Sequence, residues 1–261
     1  MKVKEVMTED IITVNKNVSL KYVLKLMKKN EITKIPITED DKVVGIVTDN
    51  IIAYKLGSIR NKGVPASKLH ASSVKEEEFK AVKPDTDLNL LLKTVGEPGP
   101  TMIIILDKKE KLVGVLTKAD LLPLIKSRKK LRDIMKKDLN VVSKEDRVIH
   151  ARRKMIDNDI ARLPVLSEGK LAGMISDMEI AFAFSKIKKQ VPLGRQKHQL
   201  EELLVEDAME KPVIYTDSEK TAEEAAKIML EENVGALPIL EKNELSGIVT
   251  RTDLIKTIST L

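Results

Sequence analysis

The chain of 261 residues carries 46 lysines and arginines against 40 aspartates and glutamates, and it contains no cysteine. The absence of cysteine excludes a disulfide framework, a cysteine-containing zinc site and a thiol nucleophile. The net charge of +6 permits binding to polyanions, but the two signs are interleaved along the predicted helices, which is typical of a solvated surface.

The first predicted unit opens with a helical turn at residues 3–7 and a strand at 11–14. Ser19 can then N-cap a helix whose apolar residues recur at helical spacing. The strand Ile35-Pro36-Ile37, a polar turn and a second strand at 42–47 follow, and another helix runs from near Thr48 to Gly57. The predicted order is therefore strand, helix, strand, strand, helix, which is an α/β repeat.

One pattern occurs four times in the chain, at the end of the strand that precedes the second helix. It consists of a glycine, two apolar residues and a threonine or serine. In three of the four copies an acidic residue follows three positions after that threonine or serine. We call this pattern the signature; its glycines are Gly45, Gly114, Gly173 and Gly247. A hydroxyl followed three residues on by a carboxylate is the spacing of a capping box at a helix start. The chain thus divides into four repeats, at 1–60, 61–125, 126–187 and 188–261.

Three segments between these elements differ from the common pattern. Residues 96–100 contain two prolines and two glycines, which predicts a loop that shortens the first helix of repeat two. The basic run 126–130 is a linker or, alternatively, a phosphate-binding patch. The polar segment Lys186 to Gln199 is expected to be a mobile connection and a candidate reporter of ligand binding.

The opening turn with its methionine, the apolar-Pro-apolar strand and the signature together resemble the cystathionine-β-synthase (CBS) domain, over nearly the whole chain. The resemblance implies a regulatory protein in which repeats one with two, and three with four, pack their sheets into two pseudo-symmetric modules. Clefts between paired repeats would bind adenosine-type ligands such as AMP, ADP, ATP or S-adenosylmethionine. Four copies in one chain are similar in layout to the gamma subunit of AMP-activated protein kinase.

We number each cleft by the repeat that supplies its signature. In the family pattern, the Thr and Asp of a signature hold ribose and phosphate, and the residues before the apolar-Pro-apolar strand of the paired repeat face the phosphate. The resemblance therefore implies one set of ligand residues for the second cleft, namely Thr117, Asp120, Thr33, Lys34, Ile12 and Pro36. It implies another for the fourth cleft, namely Thr250, Asp253, Ala161, Arg162, Asn140 and Pro164. Ile12, Pro36, Asn140 and Pro164 would line the adenine.

The other two clefts are predicted to be incomplete. The first has Ile51 in place of the aspartate and faces Thr101-Met102. The third has Ser176 with Glu179 and faces Gly235-Ala236, without a cation. Two complete and two incomplete clefts are the central hypothesis that the sequence supports.

Signals of catalysis are missing from the pattern. The three histidines lie far apart, no nucleophile–base pair stands out, and no Gly-rich phosphate loop is present. We therefore expect no enzymatic activity, no metal site and no obligatory cofactor. Two other functions stay open, a nucleic-acid-binding regulator that uses the basic run and a structural adaptor with empty clefts.

The setting in which the protein works is predicted from what the chain lacks. The N-terminus has no apolar signal-peptide core, and no run approaches about 18 apolar residues, so we expect a soluble cytoplasmic protein without membrane contact. An unknown regulated protein would read the ligand occupancy. The two modules would pack into one disc within the chain or into a larger assembly by dimerisation.

Overall fold

The computed structural model describes residues 1–57, 67–97 and 102–258. Repeat one contains β1 (Val14–Asn15), α1 (Leu20–Lys29), β2 (Lys34–Glu39), β3 (Lys42–Thr48) and α2 (Asp49–Gly57). Repeat two contains β4 (Ala81–Val82), α3 (Asn89–Val95), β5 (Met102–Leu106), β6 (Leu112–Thr117) and a closing 3-10 turn (Ala119–Leu124). The predicted loop at 96–100 lies partly outside the described residues, as does Thr101.

The second half repeats this order. Repeat three contains β7 (Val142–Ser143), α4 (Val148–Asp157), β8 (Arg162–Ser167), β9 (Lys170–Ser176) and α5 (Asp177–Gln190), and α6 (Leu193–Glu202) follows it. Repeat four contains α7 (Ala222–Glu231), β10 (Ala236–Glu241), β11 (Glu244–Thr250) and α8 (Arg251–Ile255), with Thr216 bridged in parallel to Ile239 where the other repeats have a first strand. The predicted α/β order of the repeats is confirmed.

Repeats one to three each build a three-stranded mixed sheet in which the second strand is central, whereas in repeat four β10 pairs with β11 and with Thr216 through one bridge. In repeat one β2 pairs parallel with β1 and antiparallel with β3. Pro36 lies within this central strand, opposite Ile46. The missing proline N–H costs no ladder bond there, because Ile46 directs its own N–H and C=O away from Pro36, to Glu76 at 2.9 and 2.8 Å.

The segment that opens each repeat crosses to the sheet of the paired repeat. We call residues 3–8, 71–76, 131–136 and 205–210 the entry segments. The last residue of each pairs with the strand that carries the partner signature, in the bridges Thr8–Val115, Glu76–Ile46, Lys136–Ile248 and Met174–Glu210. Repeats one and two therefore exchange edges with each other, and so do repeats three and four.

A second interface holds the two modules together. Apolar side chains of α1 and α2 share one buried cluster with those of α4 and α5, where repeat one meets repeat three. The closing turn of repeat two contributes Leu122 and Ile125 to the core of repeat four. Sheet packs on sheet within the first module, through Ile46, Ile104 and Val115. Helices thus join the modules, and sheets join the repeats inside the first one.

The segment 186–199, predicted to be a mobile connection, is mostly helical in the structure. Residues 177–190 and 193–202 are helical, interrupted only around Pro192. Ile187 and Leu200 are buried in the shared cluster of repeats one and three, and the Gln196 side-chain amide donates to the carbonyls of Lys188 and Val191 at the end of α5. Buried apolar contacts and a capped helix end order this polar segment.

Crowding at the signature glycines generates the first testable prediction. A Cβ on Gly45 would lie 2.6 Å from the Glu76 carbonyl oxygen, which belongs to backbone and cannot rotate away. Gly45→Ala should therefore open the Glu76–Ile46 pairing and lower the free energy of unfolding by roughly 2–4 kcal/mol, measured by urea denaturation.

Gly194 in α6 is the matched control, because a Cβ there meets no described atom within 4 Å. Gly194→Ala should be neutral or stabilise by up to about 1 kcal/mol through helix propensity. Equal losses in the two variants would contradict the role given to the entry segment.

Candidate functional site

In the three signatures that keep an acid, the acid accepts hydrogen bonds from the hydroxyl residue three positions before it; in repeats three and four this contact is part of a full capping box. The Asp253 carboxylate accepts from the Thr250 backbone N–H at 2.9 Å and from its hydroxyl at 2.6 Å. Asp120 accepts from the N–H and hydroxyl of Thr117 at 2.6 and 2.8 Å. Glu179 accepts in the same way from Ser176. The acid three residues after the hydroxyl is thus held in a fixed orientation in all three repeats.

The entry segment of the paired repeat reaches the same carboxylate in the second cleft. The Thr8 hydroxyl donates to Asp120 Oδ1 at 2.6 Å, while Thr117 occupies Oδ2. Each carboxylate oxygen can accept two hydrogen bonds; Oδ2 already accepts two from Thr117, so Oδ1 retains capacity for a ligand hydroxyl. The second cleft is therefore built by two repeats, as predicted.

A cavity of about 390 Å³ lies at the first cleft. Its wall includes Lys34, Thr48 and Met102, together with Glu76 from the entry segment of repeat two. Lys34 is predicted to serve the second cleft, yet the carboxylate that attracts it most strongly is Asp49, followed by Glu76. The structure thus places Lys34 on the first cleft, and its pairing with the ligand phosphate of the second cleft stays a prediction.

Four cations interact electrostatically where the repeats meet. We call Lys34, Lys118, Arg162 and Arg251 the central cations. Lys34 is repelled by Arg251 and Arg162, and Lys118 by Lys34 and Arg162. Burial, followed by this repulsion, lowers the pKa of Lys118 to about 8 and that of Arg251 to about 10. Burial also lowers the pKa of Lys34, against the attraction of Asp49.

Sequence reasoning missed Lys118 and Arg251. Each follows the threonine of a signature that keeps its aspartate, and the equivalent residues of the other repeats are Asp49 and Asp177. Arg251 is attracted by Asp120, and Lys118 by Asp253, so each cation lies near the aspartate of the other module. The Lys118 ammonium also donates to Thr252 Oγ1 at 2.7 Å. Only the packing of the modules reveals this crossed arrangement.

Two acidic residues face each other where repeats one and three meet. Asp177 is almost fully buried; it forms an ion pair with Arg152 and accepts from Asn50 Nδ2 at 2.9 Å. Asp49 lies beside this network. Burial, together with the charge of Asp177, raises the pKa of Asp49 to about 6. Burial raises the pKa of Asp177 as well, but the charge of Arg152 and the Asn50 hydrogen bond oppose that rise. Asp177 thus has a counter-charge in direct contact, whereas Asp49 is exposed to the like charge of Asp177.

The third cleft corrects one expectation, because a cation is present there. The Arg162 guanidinium lies directly over Gly235, in space that a Cβ at that position would occupy. It also attracts Glu210, whose pKa is raised by burial and by the neighbouring Glu179. Glycine at position 235 allows this approach, which the one-dimensional pattern could not show. The predicted pairing of Arg162 with the ligand phosphate of the fourth cleft stays a prediction.

The remaining predicted ligand residues occupy the strand beginnings. Pro36 and Pro164 are buried in the central strands, Ile12 packs against the shared core, and Asn140 is half-buried before β7. The carbonyls of two further residues accept from the N–H that starts the following helix, at 3.0 Å for Thr33 to Asp49 and 3.3 Å for Ala161 to Asp177. Their roles toward a ligand stay predictions.

The basic run 126–130 lies along the acidic start of α7. Lys126 pairs with Glu223 at 3.4 Å, and the Lys130 backbone bridges Thr221. The Lys130 ammonium donates to the Glu219 carbonyl. These contacts are those of a structured linker between the modules.

Comparison with known proteins identifies the family to which this chain belongs. The CBS domain model matches residues 3–57, 131–186 and 205–260, and the chain therefore belongs to the CBS domain family. Repeat two, the most altered, has the same sheet order as repeats one and three. None of the helices in the described part of the chain is long and apolar enough to cross a membrane.

Two relatives from Methanocaldococcus jannaschii match nearly the whole of this chain. Protein MJ1404 is 30% identical over 99% of this chain, which spans 62% of the length of that relative. Protein MJ1225 is 25% identical over 94% of both chains. The crystal structure of MJ1225, described as a candidate archaeal homologue of γ-AMPK, superposes with a TM-score of 0.82 over 98% of this chain and 99% of its own. The four-repeat fold is thus shared.

The contrast between the two central acids is testable. The folded-state pKa of Asp49, about 6, lies above its ordinary value of 3.8, so its ionisation destabilises the fold as pH rises from about 4 to 6. Asp49→Asn should therefore raise the free energy of unfolding at pH 7.5, by roughly 1.5–3 kcal/mol, and change it little at pH 4.

Asp177→Asn is the matched variant with the opposite sign. It leaves the buried Arg152 guanidinium without its counter-charge and should destabilise by about 3 kcal/mol at pH 7.5. Thermal and urea unfolding at both pH values measure the pair. Destabilisation of similar size by both substitutions would contradict the electrostatics described.

Proposed function

We propose that the chain is a regulatory sensor of adenosine-type ligands, which bind in the clefts between paired repeats and whose occupancy a partner protein reads. The observation that carries the proposal is the crossed arrangement of the complete signatures. A fixed carboxylate, Asp120 or Asp253, suits ribose hydroxyls, and a central cation from the other module lies near each one.

The central cations favour a ligand that carries phosphate. Lys34, Lys118 and Arg251 are half-buried and lie near other cations of this group, and burial followed by that repulsion lowers their pKa values. A phosphate group near them would offset that repulsion and form charge-assisted hydrogen bonds. AMP should therefore bind more tightly than adenosine. The described likeness of MJ1225 to γ-AMPK is consistent with this ligand class.

The two modules would respond to ligand together. Lys118 of the first module lies near Asp253 of the second, and Arg251 of the second lies near Asp120 of the first. A ligand in the second or fourth cleft therefore touches the interface between modules. If the modules have two relative arrangements, the ligand shifts the equilibrium toward the arrangement that it binds more tightly. This coupling gives a partner protein a signal to read.

Variants of the two aspartates test the sites. Isothermal titration of AMP should show the second cleft weakened about 20-fold or more in Asp120→Ala, and the fourth cleft in Asp253→Ala, because each loses a charged acceptor for ribose. The double variant should bind two fewer AMP molecules per chain than the unaltered protein. The exposed Asp157, in a surface pair with Arg153, provides the control Asp157→Ala.

Undiminished AMP binding by the double variant would contradict these sites. A thermal-shift screen with AMP, ADP, ATP and S-adenosylmethionine separates a sensor from a structural adaptor, because binding to the folded state raises the midpoint. No shift with any of the four would favour the adaptor.

The pH dependence of binding tests the part given to Lys118. With a pKa of about 8, Lys118 is mostly protonated at pH 7 and mostly neutral at pH 9. Phosphate keeps its charge over that range, so AMP affinity should fall about tenfold between the two pH values. Titrations of Lys118→Met should show weaker binding at pH 7 and a flat profile, whereas Lys126→Met in the linker should keep the slope. An unchanged slope in Lys118→Met would refute the assignment.

A further inference from the structure

The last residue of each entry segment differs between the clefts in a pattern that follows the signatures. It is Thr8 opposite the repeat-two signature and Lys136 opposite that of repeat four, the two signatures that keep aspartate. It is Glu76 opposite the repeat-one signature, where Ile51 replaces the aspartate. A carboxylate missing from one side of the first cleft is therefore present on the other.

The backbone contacts show where this position directs its side chain. Thr8 exchanges hydrogen bonds with Val115 at 2.9 and 3.0 Å, and its hydroxyl reaches the Asp120 carboxylate. Glu76 exchanges the equivalent bonds with Ile46 at 2.8 and 2.9 Å. By the pseudo-symmetry of the module, Glu76 should approach the part of the first cleft that corresponds to Asp120 in the second.

The cavity at the first cleft is lined by apolar side chains and by charges of both signs, which include Glu78, Lys80, Lys93 and Glu97. Glu76 lines it together with Thr48, while Phe79 and Met102 give it an apolar wall and Lys34 gives it a cation. Its volume of about 390 Å³ falls within the range of small-molecule pockets. Lys34 and Glu76 attract each other across it. An apolar surface for a base, an acceptor for ribose and a cation for phosphate thus converge in one cavity.

We infer that the first cleft is a third nucleotide site, in which Glu76 of repeat two accepts from the ribose hydroxyls in place of the aspartate lost at Ile51. Lys34 holds the phosphate in this site, and Phe79 and Met102 contact the base. The inference rests on the proposed function, because it assigns the same ligand class to an additional cleft. It differs from the hypothesis that only two clefts are complete, and the experiment below decides between them.

The third cleft provides an internal contrast. Its entry residue is also a glutamate, Glu210, but its signature retains an acid, Glu179, and the two repel each other. Because Glu179 already provides a carboxylate acceptor in this cleft, Glu210 is not needed as one. Glu210→Gln is accordingly the control for Glu76→Gln, since both remove one glutamate charge from an equivalent backbone position, with Glu210 the more exposed of the two.

The experiment uses the full chain with Asp120→Ala and Asp253→Ala, which silences the second and fourth clefts, and titrates it with AMP by calorimetry. We expect residual binding that Glu76→Gln weakens about 20-fold or more and that Glu210→Gln leaves unchanged. Each variant is first checked for an unfolding midpoint close to that of its parent, so that lost binding is not lost folding.

A second titration, with 2′-deoxy-AMP, separates a contact to ribose from a structural role. On the double-variant background the deoxy ligand should bind more weakly than AMP, and Glu76→Gln should add little further loss. Equal AMP affinity of the residual site with and without Glu76→Gln would overturn the inference. It would also be overturned if the Asp120→Ala, Asp253→Ala double variant bound no AMP while the unaltered chain bound two AMP molecules. Failure of the unaltered chain to bind any adenosine ligand would instead remove the proposed function and, with it, this third site.

Discussion

The exchange of entry segments between paired repeats is the constraint on which the rest of the structure depends. Each segment pairs its backbone with the signature strand of its partner, and the side chain before the last residue covers the partner glycine. In three of the four positions that side chain is a methionine, as with Met7 over Gly114, where a Cβ would lie 2.5 Å from the sulfur. Each cleft is consequently built from two repeats, and a repeat of this size has no complete cleft of its own.

The charge at the meeting point of the modules follows from the same packing. The residues that follow the threonine or serine of each signature converge there, as an acidic pair from repeats one and three and a basic pair from repeats two and four. Buried charges of one sign are costly unless a counter-charge is supplied. Arg152 supplies the counter-charge for the acidic pair. On our account, the phosphate of a bound ligand supplies it for the basic pair. Stability and ligand occupancy are thereby linked.

Local features of the site were predictable from the sequence, and features made by packing were not. The capping box of Thr250 with Asp253 spans three residues, so its spacing alone indicates it. Lys118 and Arg251 acquire their place only when helices of different modules meet. Lys34 was assigned from its own strand to one cleft but lines another, because the strand register turns it toward Thr48. The segment 186–199 reads as polar, yet Ile187 and Leu200 bury it.

A crystal structure of the chain grown with AMP tests the central claim most directly. The account predicts one AMP molecule in the second cleft and one in the fourth. Their ribose hydroxyls should donate hydrogen bonds to Asp120 and Asp253, and the phosphate of each molecule should lie within hydrogen-bonding distance of a central cation. Nucleotide bound in these clefts with its phosphate turned outward to solvent, away from Lys118 and Arg251, would contradict it.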